Sequence, residues 1–352
     1  MSLLEILGID LPIIQAPMAG VSSPAMAAAV ANAGALGSLG VGATDAAGAR
    51  RMIRAVRQHS QRSLNVNVFC HQPATADVAV EAAWIEYLRP CFQRFHAQPP
   101  TGLQEIYRSF VADDAMLAVL LEERPRVVSF HFGVPPAPRL RALREAGIVL
   151  LASATNLAEA RSAVAAGVQA VVAQGYEAGG HRGTFDSEAH DDCLSTAVLT
   201  RLLVRELPVP VIAAGGIMDG AGIAAALRLG AGAAQMGTAF IACQESDADA
   251  GFRQALSSEA ALHTVMTRAI SGRPARCLSN GFTDLGANLD ARRIPSYPIA
   301  YDAGKALNAA AKAAGDSRYG AQWAGQGAPL AHAGRTAAEL ISLLVTELRA
   351  AD

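Results

Sequence analysis

Two stretches, PVIAAGG at residues 210–216 and AAQMGTAF at residues 233–240, show most directly how this chain folds. Each begins as a short apolar run without polar alternation, and the first ends in two glycines. Continuous hydrophobicity of this kind indicates a strand covered on both faces, as in a parallel sheet wrapped by helices. Six similar runs precede them, separated by sequence with helical periodicity: Pro12–Met18, Ala35–Leu39, Leu64–Phe69, Val127–Phe132, Val149–Ser153 and Ala170–Gln174.

Eight such runs predict an α/β fold, specifically a TIM (β/α)₈ barrel, although an open doubly wound sheet fits the same alternation. The 352 residues suit one barrel of roughly 250 residues with additions. We expect residues 1–244 plus 336–352 to form the barrel, with a helical insertion at about 70–126. Residues 245–335 then form a C-terminal helical lobe, a substrate lid over the active-site rim. The insertion either shapes the pocket or contacts a second subunit, as in a homodimer.

The composition excludes several classes of function. Lys and Arg number 29 against 31 Asp and Glu, a net charge of −2, so no global field attracts nucleic acid or an anionic membrane. No apolar stretch reaches the roughly 18 residues of a membrane span, and the first residues lack a secretory signal pattern. Five scattered cysteines without a Cys-x-x-Cys pair favour a reduced, cytoplasmic compartment. No metal is expected, because residues 190–193 (HDDC) are too crowded for a ligand set.

Polar, small or polarizable residues stand where the predicted strands end. Because active sites of parallel barrels lie at the carboxyl ends of the strands, these residues converge if the barrel closes. Glycines after the seventh and eighth strands let backbone N–H groups approach phosphate oxygens, and barrel phosphate sites commonly use these two loops. Either loop alone fits a tight turn, whereas the pair favours a phosphate site. The strand-end residues are Pro17, Met18, Asn67, His131, Gln174, Gly215, Gly216, Gly237 and Thr238.

The segment QGYEAGGHRG at residues 174–183 strings four glycines around Glu177, His181 and Arg182. Such a loop can wrap closely round a ligand and still offer several N–H donors. This segment resembles the signature loop of the nitronate monooxygenases. Four further stretches resemble motifs of that family, and a fifth resembles its class I enzymes: QAPMAGVS (15–22), FHFG (130–133), AAGGIMDG (213–220), QMGT (235–238) and, for class I, YPIAYDAGK (297–305).

The resemblance implies a barrel that binds FMN. Met18 would pack beside the isoalloxazine ring, and the amides of Asn67 and Gln174 would bond its polar edge. Gln235 and Met236 would line the site, and the phosphate would be held by Gly179, Gly216, Gly237 and Thr238. His131 is the expected catalytic residue over the reactive flavin face. The expected substrate contacts are Tyr297, Tyr301 and Lys305, on one helix face if that segment is helical, together with His181. For His181 two other roles stay open, support of the loop and contact with the cofactor.

The resemblance also implies the reaction: oxidation of an alkyl nitronate, with propionate 3-nitronate favoured, by O₂ through a flavosemiquinone. The products would be malonic semialdehyde with nitrite and nitrate, a detoxifying reaction. A nitronate is already a carbanion-like anion, so no base is needed to start electron transfer. Two alternatives stay open. One is an NADH:quinone reductase or enoyl reductase on a related FMN barrel, and the other is a flavin-binding protein without turnover.

Overall fold

The computed structural model describes residues 1–351, and its centre is a sheet of eight parallel strands. These are β1 (Ile13–Gln15), β2 (Gly37–Gly40), β3 (Leu64–Phe69), β4 (Val127–His131), β5 (Val149–Ala154), β6 (Ala170–Gln174), β8 (Val211–Ala214) and β9 (Ala233–Met236). Their order is β1-β9-β8-β6-β5-β4-β3-β2, and β7 (Gly180–His181) lies outside this sheet. A parallel bridge between Ile14 and Leu36 joins the two ends of the sheet. The (β/α)₈ barrel is therefore confirmed, and the open doubly wound sheet is excluded.

Helices separate the strands, and side-chain caps fix where several of them begin. Ser23, Asp45, Asn156, Ser195 and Asp219 each accept a backbone N–H of the following first turn, which satisfies donors that a helix leaves unpaired. The helices are α1 (Leu3–Leu7), α2 (Pro24–Asn32), α3 (Ala46–His59), α4 (Val78–Arg94), α5 (Asp114–Glu123), α6 (Ala137–Glu145), α7 (Leu157–Ala166), α8 (Thr196–Glu206), α9 (Gly220–Arg228), α10 (Thr238–Ile241), α11 (Ala250–Leu256), α12 (Gly281–Gly286), α13 (Ile299–Ala313) and α14 (Ala337–Ala351).

The interior of the barrel changes from apolar to polar along its axis. At the amino ends of the strands, Leu3 and Leu7 of α1 pack with interior residues such as Leu151 and Ile212 and plug the barrel. Toward the carboxyl ends, the buried interior residues become polar. They include Gln15, Asn67, Ser129 and Gln174. This gradient places the hydrogen-bonding groups at the rim where barrel enzymes hold their ligands.

Two predicted strands are shorter than the sequence suggested. The eighth ends at Met236, because Gly237 turns the chain into the short helix α10. The first ends at Gln15, and the chain then turns: Met18 N–H donates to Ser22 Oγ at 2.9 Å. In both cases the apolar run continues past the strand into the rim.

The segment between the last barrel strand and α14 contains the expected helices and, in addition, a two-stranded hairpin. Strands β10 (Thr264–Thr267) and β11 (Ala275–Leu278) pair antiparallel, and β11 also pairs with β7 (Gly180–His181) in the glycine-rich loop. The hairpin thereby ties this segment to the loop that follows β6. Within residues 1–351, no helix combines the length and hydrophobicity needed to cross a membrane.

Helix α4 of the predicted insertion packs against helix α13 of the C-terminal segment. Trp84, Leu88 and Phe92 of α4 share one apolar cluster with Leu307 of α13. Helix α5, by contrast, lies on α3 around the barrel. The insertion therefore divides into a part that supports the C-terminal segment and a part that completes the barrel.

Candidate active site

A cavity of about 570 Å³ opens at the carboxyl ends of the barrel strands. Loops from the barrel form its floor, and residues of the C-terminal segment form part of its wall. The cavity brings together twelve of the fourteen predicted site residues: Met18, Asn67, His131, Gln174, Gly179, His181, Gly216, Gln235, Gly237, Thr238, Tyr301 and Lys305.

The structure places the side chains of Met236 and Tyr297 elsewhere. Met236 is 1% exposed and packs in the apolar layer outside the barrel, because side chains alternate across a strand and Gln235 takes the inner face. Tyr297 is buried behind the cavity wall, and its ring centre lies 5.4 Å from that of His181. Tyr297 also precedes α13, which begins at Ile299, so the expected helix face holds only Tyr301 and Lys305.

Two glycine loops, after β8 and β9, line the cavity with a cradle of free backbone N–H groups. Gly216 has φ of +71°, a conformation that favours glycine, at the end of β8. Within residues 1–351, the N–H groups of Gly216, Gly237 and Thr238 make no hydrogen bond. A Cβ on Gly237 would lie 3.4 Å from Met18 Sδ, inside the cavity wall. Such a cradle suits an anionic group with several acceptor oxygens.

The C-terminal segment supplies a wall of this cradle that the sequence did not reveal. Gly325 N–H donates to Thr238 Oγ1 at 2.9 Å, and Gln326 N–H donates to the Glu177 carbonyl at 2.9 Å. A Cβ on Gly179 would meet Gly325 N at 2.4 Å, so the two backbones are in contact. Close packing of this kind requires glycine at position 179.

A buried ion pair fixes the glycine-rich loop. Arg182 binds both carboxylate oxygens of Asp191, at 2.7 and 2.8 Å, and donates to the Gln174 carbonyl at 2.8 Å. The Gln174 side chain is oriented in turn, since its Oε1 accepts from Gly183 N–H at 2.7 Å and its Nε2 donates to the His181 carbonyl at 3.0 Å. The sequence offered Arg182 only as part of a motif, whereas the structure makes it the anchor of the loop.

His131 ends β4 and is held in one tautomer. Its Nε2 lies 3.2 Å from the His181 carbonyl oxygen, which can only accept, so Nε2 carries the proton. Burial, chiefly, lowers the pKa of His131 to about 4. The ring is therefore neutral at physiological pH, and Nδ1 keeps a lone pair that makes no hydrogen bond within the described residues.

His181 lies among aromatic rings of the C-terminal segment. Its ring centre is 5.1 Å from that of Trp323 and 6.1 Å from that of Tyr301, and its Nε2 is 2.9 Å from Ser271 Oγ. Burial lowers the pKa of His181 to about 3, with the neighbouring His131 adding to the effect. His181 is thus a second neutral imidazole in the same cavity.

Lys305 is the one lysine on the cavity wall, and it forms no ion pair with a carboxylate of residues 1–351, although the charge of Asp302 acts on it. Its Nζ lies 4.9 Å from the centre of the Tyr107 ring and 5.9 Å from that of Tyr301. Partial burial lowers the pKa of Lys305 somewhat. Tyr107, Trp323 and Gly325 were missed by sequence reasoning, because none of them follows a barrel strand. No group of three or more metal-ligating side chains is present in the described part of the chain.

The fold and the cavity define a (β/α)₈-barrel enzyme with a cradle of unpaired backbone N–H groups and neutral imidazoles at the carboxyl ends of its strands. The chain belongs to the nitronate monooxygenase family, whose model matches residues 1–347. It is 62% identical over 348 residues to a nitronate monooxygenase of Paraburkholderia phytofirmans, covering 99% of this chain and 95% of that protein. It is 53% identical over 345 residues to a nitronate monooxygenase of Pseudomonas aeruginosa, covering 98% of each.

A solved structure agrees with these relatives. The nitroalkane oxidase of Streptomyces ansochromogenes is 41% identical and superposes with a TM-score of 0.89, covering 97% of each chain. Likeness at this level extends over the barrel and the C-terminal segment together. The chain is therefore an oxidoreductase of the nitronate monooxygenase family.

Proposed function

We propose that this enzyme binds FMN and uses O₂ to oxidise alkyl nitronates, with propionate 3-nitronate as the preferred substrate. The products would be malonic semialdehyde with nitrite and nitrate, and the reaction would detoxify nitronates in the cytoplasm. The observation that carries the proposal is one cavity that combines a phosphate cradle, complementary amides and an unpaired lysine.

The amides at the rim fit the edge of a flavin. Asn67 Nδ2 donates to the carbonyl and hydroxyl oxygens of Ser129, at 3.1 and 2.9 Å, which leaves its Oδ1 as a free acceptor. The Oε1 of Gln174 is already bonded to Gly183 N–H, and one N–H of its Nε2 is bonded to the His181 carbonyl. The second N–H of Nε2 therefore remains as a free donor. One acceptor and one donor at the rim complement the alternating polar groups of an isoalloxazine ring.

The phosphate of FMN would be held by the cradle of Gly179, Gly216, Gly237 and Thr238, with Met18 and Gln235 against the ring system. When bound, FMN supplies the electron chemistry, and the protein supplies position and field. A cavity of about 570 Å³ leaves room for a small substrate beside the cofactor.

The substrate would be recognised by the residues that line the rest of the cavity. Lys305 offers a positive charge and Tyr301 a hydroxyl, which suit the carboxylate and nitro oxygens of propionate 3-nitronate. His131 Nδ1 and the His181 ring would orient the nitronate. Tyr297 would act indirectly, by supporting His181 from behind. Residues 245–335 would form the substrate lid over the barrel of residues 1–244 and 336–352.

A neutral His131 also sets which substrates react well. A base with a pKa of about 4 removes a proton from a neutral nitroalkane only slowly near pH 7. A nitronate needs no such step, because its proton is already lost. We therefore expect nitronates to be turned over much faster than their parent nitroalkanes.

The test is oxygen uptake by the purified yellow protein with propionate 3-nitronate, run beside NADH plus a quinone. Anaerobic addition of the nitronate should change the flavin absorbance, and oxygen should be consumed on admission of air. NADH oxidation without any response to nitronate would replace the proposal with a reductase. A colourless protein that gains no flavin absorbance when mixed with FMN would refute the cofactor assignment.

A further inference from the structure

A buried arginine beside the glycine-rich loop forms no ion pair, although the carboxylates of Glu159 and Asp186 act on its charge from a longer distance. Arg273 is 4% exposed, yet it forms no ion pair with a carboxylate of residues 1–351. Its Nη2 donates to the carbonyl and hydroxyl oxygens of Thr184, and its Nε has no partner. Arg182, which is equally buried, pairs with Asp191. Burying an unpaired charge destabilises a fold, so the lone Arg273 charge requires an explanation.

The Arg273 charge lies directly behind the wall of the cavity. Its guanidinium carbon is 4.2 Å from the centre of the Phe132 ring. That ring centre lies 4.5 Å from the His131 ring and 5.7 Å from the His181 ring, and both imidazoles line the cavity. Burial is the main cause that lowers the pKa of both histidines, and for His181 the neighbouring His131 comes next. The Arg273 charge lowers both pKa values further. Its positive potential therefore reaches the cavity wall.

We propose that Arg273 determines charge specificity: its buried charge favours an anionic ligand in the cavity over a neutral ligand of the same shape. The inference deepens the proposed function and rests on it, since it names anionic nitronates as the favoured class. The bound anion would add to the distant negative charges of Glu159 and Asp186, neither of which forms an ion pair with Arg273. A charge in a low-dielectric surrounding acts over longer range and is screened less by salt than the exposed Lys305.

A purely structural role for Arg273 is the competing explanation. In that case the guanidinium braces Thr184 and packs on Phe132, and the sign of the ligand's charge is irrelevant. The two explanations differ in what happens when the charge is cancelled while the arginine stays in place.

Substitution at Thr184 provides that test, because its hydroxyl oxygen is 3.3 Å from Arg273 Nη2. Thr184→Asp adds a carboxylate beside the guanidinium, and Thr184→Asn adds an amide of the same shape without charge. Ethyl nitronate and nitroethane form the matching ligand pair, one anionic and one neutral. The KM for ethyl nitronate and the inhibition constant of nitroethane would be measured for both variants, together with FMN content.

We expect the KM for ethyl nitronate to be about tenfold higher in Thr184→Asp than in Thr184→Asn, with the nitroethane constants within about twofold. Arg273→Lys should bind the anion within about threefold of the natural protein, whereas Arg273→Met should not. Equal constants in the Asp and Asn variants, or equal losses for anion and neutral ligand, would overturn the proposal. If Arg273→Met does not fold, the Thr184 pair still decides.

Arg276→Met is the matched control for loss of a buried arginine. Arg276 is 3% exposed, lies 4.7 Å over the Tyr176 ring and donates to the Tyr176 carbonyl. We expect it to leave the preference for the anion unchanged, and a loss equal to that of Arg273→Met would count against Arg273. If the natural protein oxidised no nitronate, that result would refute the proposed function but not the role of Arg273. Calorimetric titration of Thr184→Asp and Thr184→Asn with nitrate would then still test Arg273.

Discussion

Replacing Lys305 with Met tests how the cavity recognises the far end of its substrate. The chain contains two lysines, Lys305 and Lys312, both on α13. Unit charges about 4 Å apart interact by about 4 kcal/mol at an effective dielectric constant of about 20. Lys305 is exposed to solvent, however, and exposed pairs retain about 1 kcal/mol or less. We therefore expect the KM for propionate 3-nitronate to rise about fivefold, with kcat unchanged, since binding common to ground and transition states is lost.

The assay is oxygen uptake with propionate 3-nitronate and with ethyl nitronate, which lacks the carboxylate. Lys305→Met should affect the first substrate more than the second. Lys312→Met is the matched control, because Lys312 pairs with Asp249 at 2.5 Å and does not line the cavity. Equal increases in KM for both substrates would show that Lys305 does not contact the carboxylate. No increase in either would remove it from the site.

Three further predictions concern the cavity wall and its support. His131→Asn should lower kcat/KM with nitronates by about a hundredfold while FMN stays bound, and near-normal turnover would remove His131 from the mechanism. Arg182→Lys loses the bidentate contact with Asp191, so FMN should bind about tenfold more weakly in a fluorescence titration, and unchanged affinity would contradict the anchoring role. The Tm should fall as the pH drops from about 6.5 toward 4. Burial lowers the pKa values of His71, His131 and His181 in the folded protein, so over this range the unfolded chain binds protons that the folded protein does not. A Tm independent of pH over that range would show that these rings are not neutral in the folded protein.

The barrel and most of its rim could be predicted from the sequence because the relevant signals are local. A strand buried on both faces is a continuous apolar run, and the residue that ends it occupies the rim by geometry alone. Asn67, His131 and Gln174 were placed correctly in the cavity for this reason. The glycines after β8 and β9 were placed by the same argument.

Met236 and Tyr297 lie outside the cavity for reasons that the sequence itself contains. Strand alternation puts Gln235 and Met236 on opposite faces, so they could not both line the cavity. Tyr297 precedes Pro298, and a residue before proline is disfavoured in a helix. The sequence therefore already indicated that the helix begins after Pro298 and that Tyr297 is not on its face.

Other site residues could not have been found, because their positions depend on contacts between distant parts of the chain. Tyr107 lies in the insertion and reaches the cavity beside Lys305, although no strand near it fixes its place. Gly325 joins the cradle through Thr238, which is 87 positions earlier in the chain. Such contacts have no periodicity that a single sequence displays.

The barrel and the C-terminal segment thus supply different parts of the cavity, and this difference bears on substrate specificity. The proposed cofactor cradle and its amides come mainly from strand ends, whose geometry the closed barrel fixes. The residues that would meet the substrate's charge, Lys305 and Arg273, come from the C-terminal segment, and Tyr301 and Trp323 stand beside His181 in the same wall. The backbone of His181 is also held by that segment, because β11 pairs with β7 in the glycine-rich loop. Substitutions of the residues in this segment that line the cavity, such as Tyr301 and Lys305, should therefore alter which nitronate is preferred before they alter flavin binding, whereas substitutions at Gly216 or Gly237 should do the reverse.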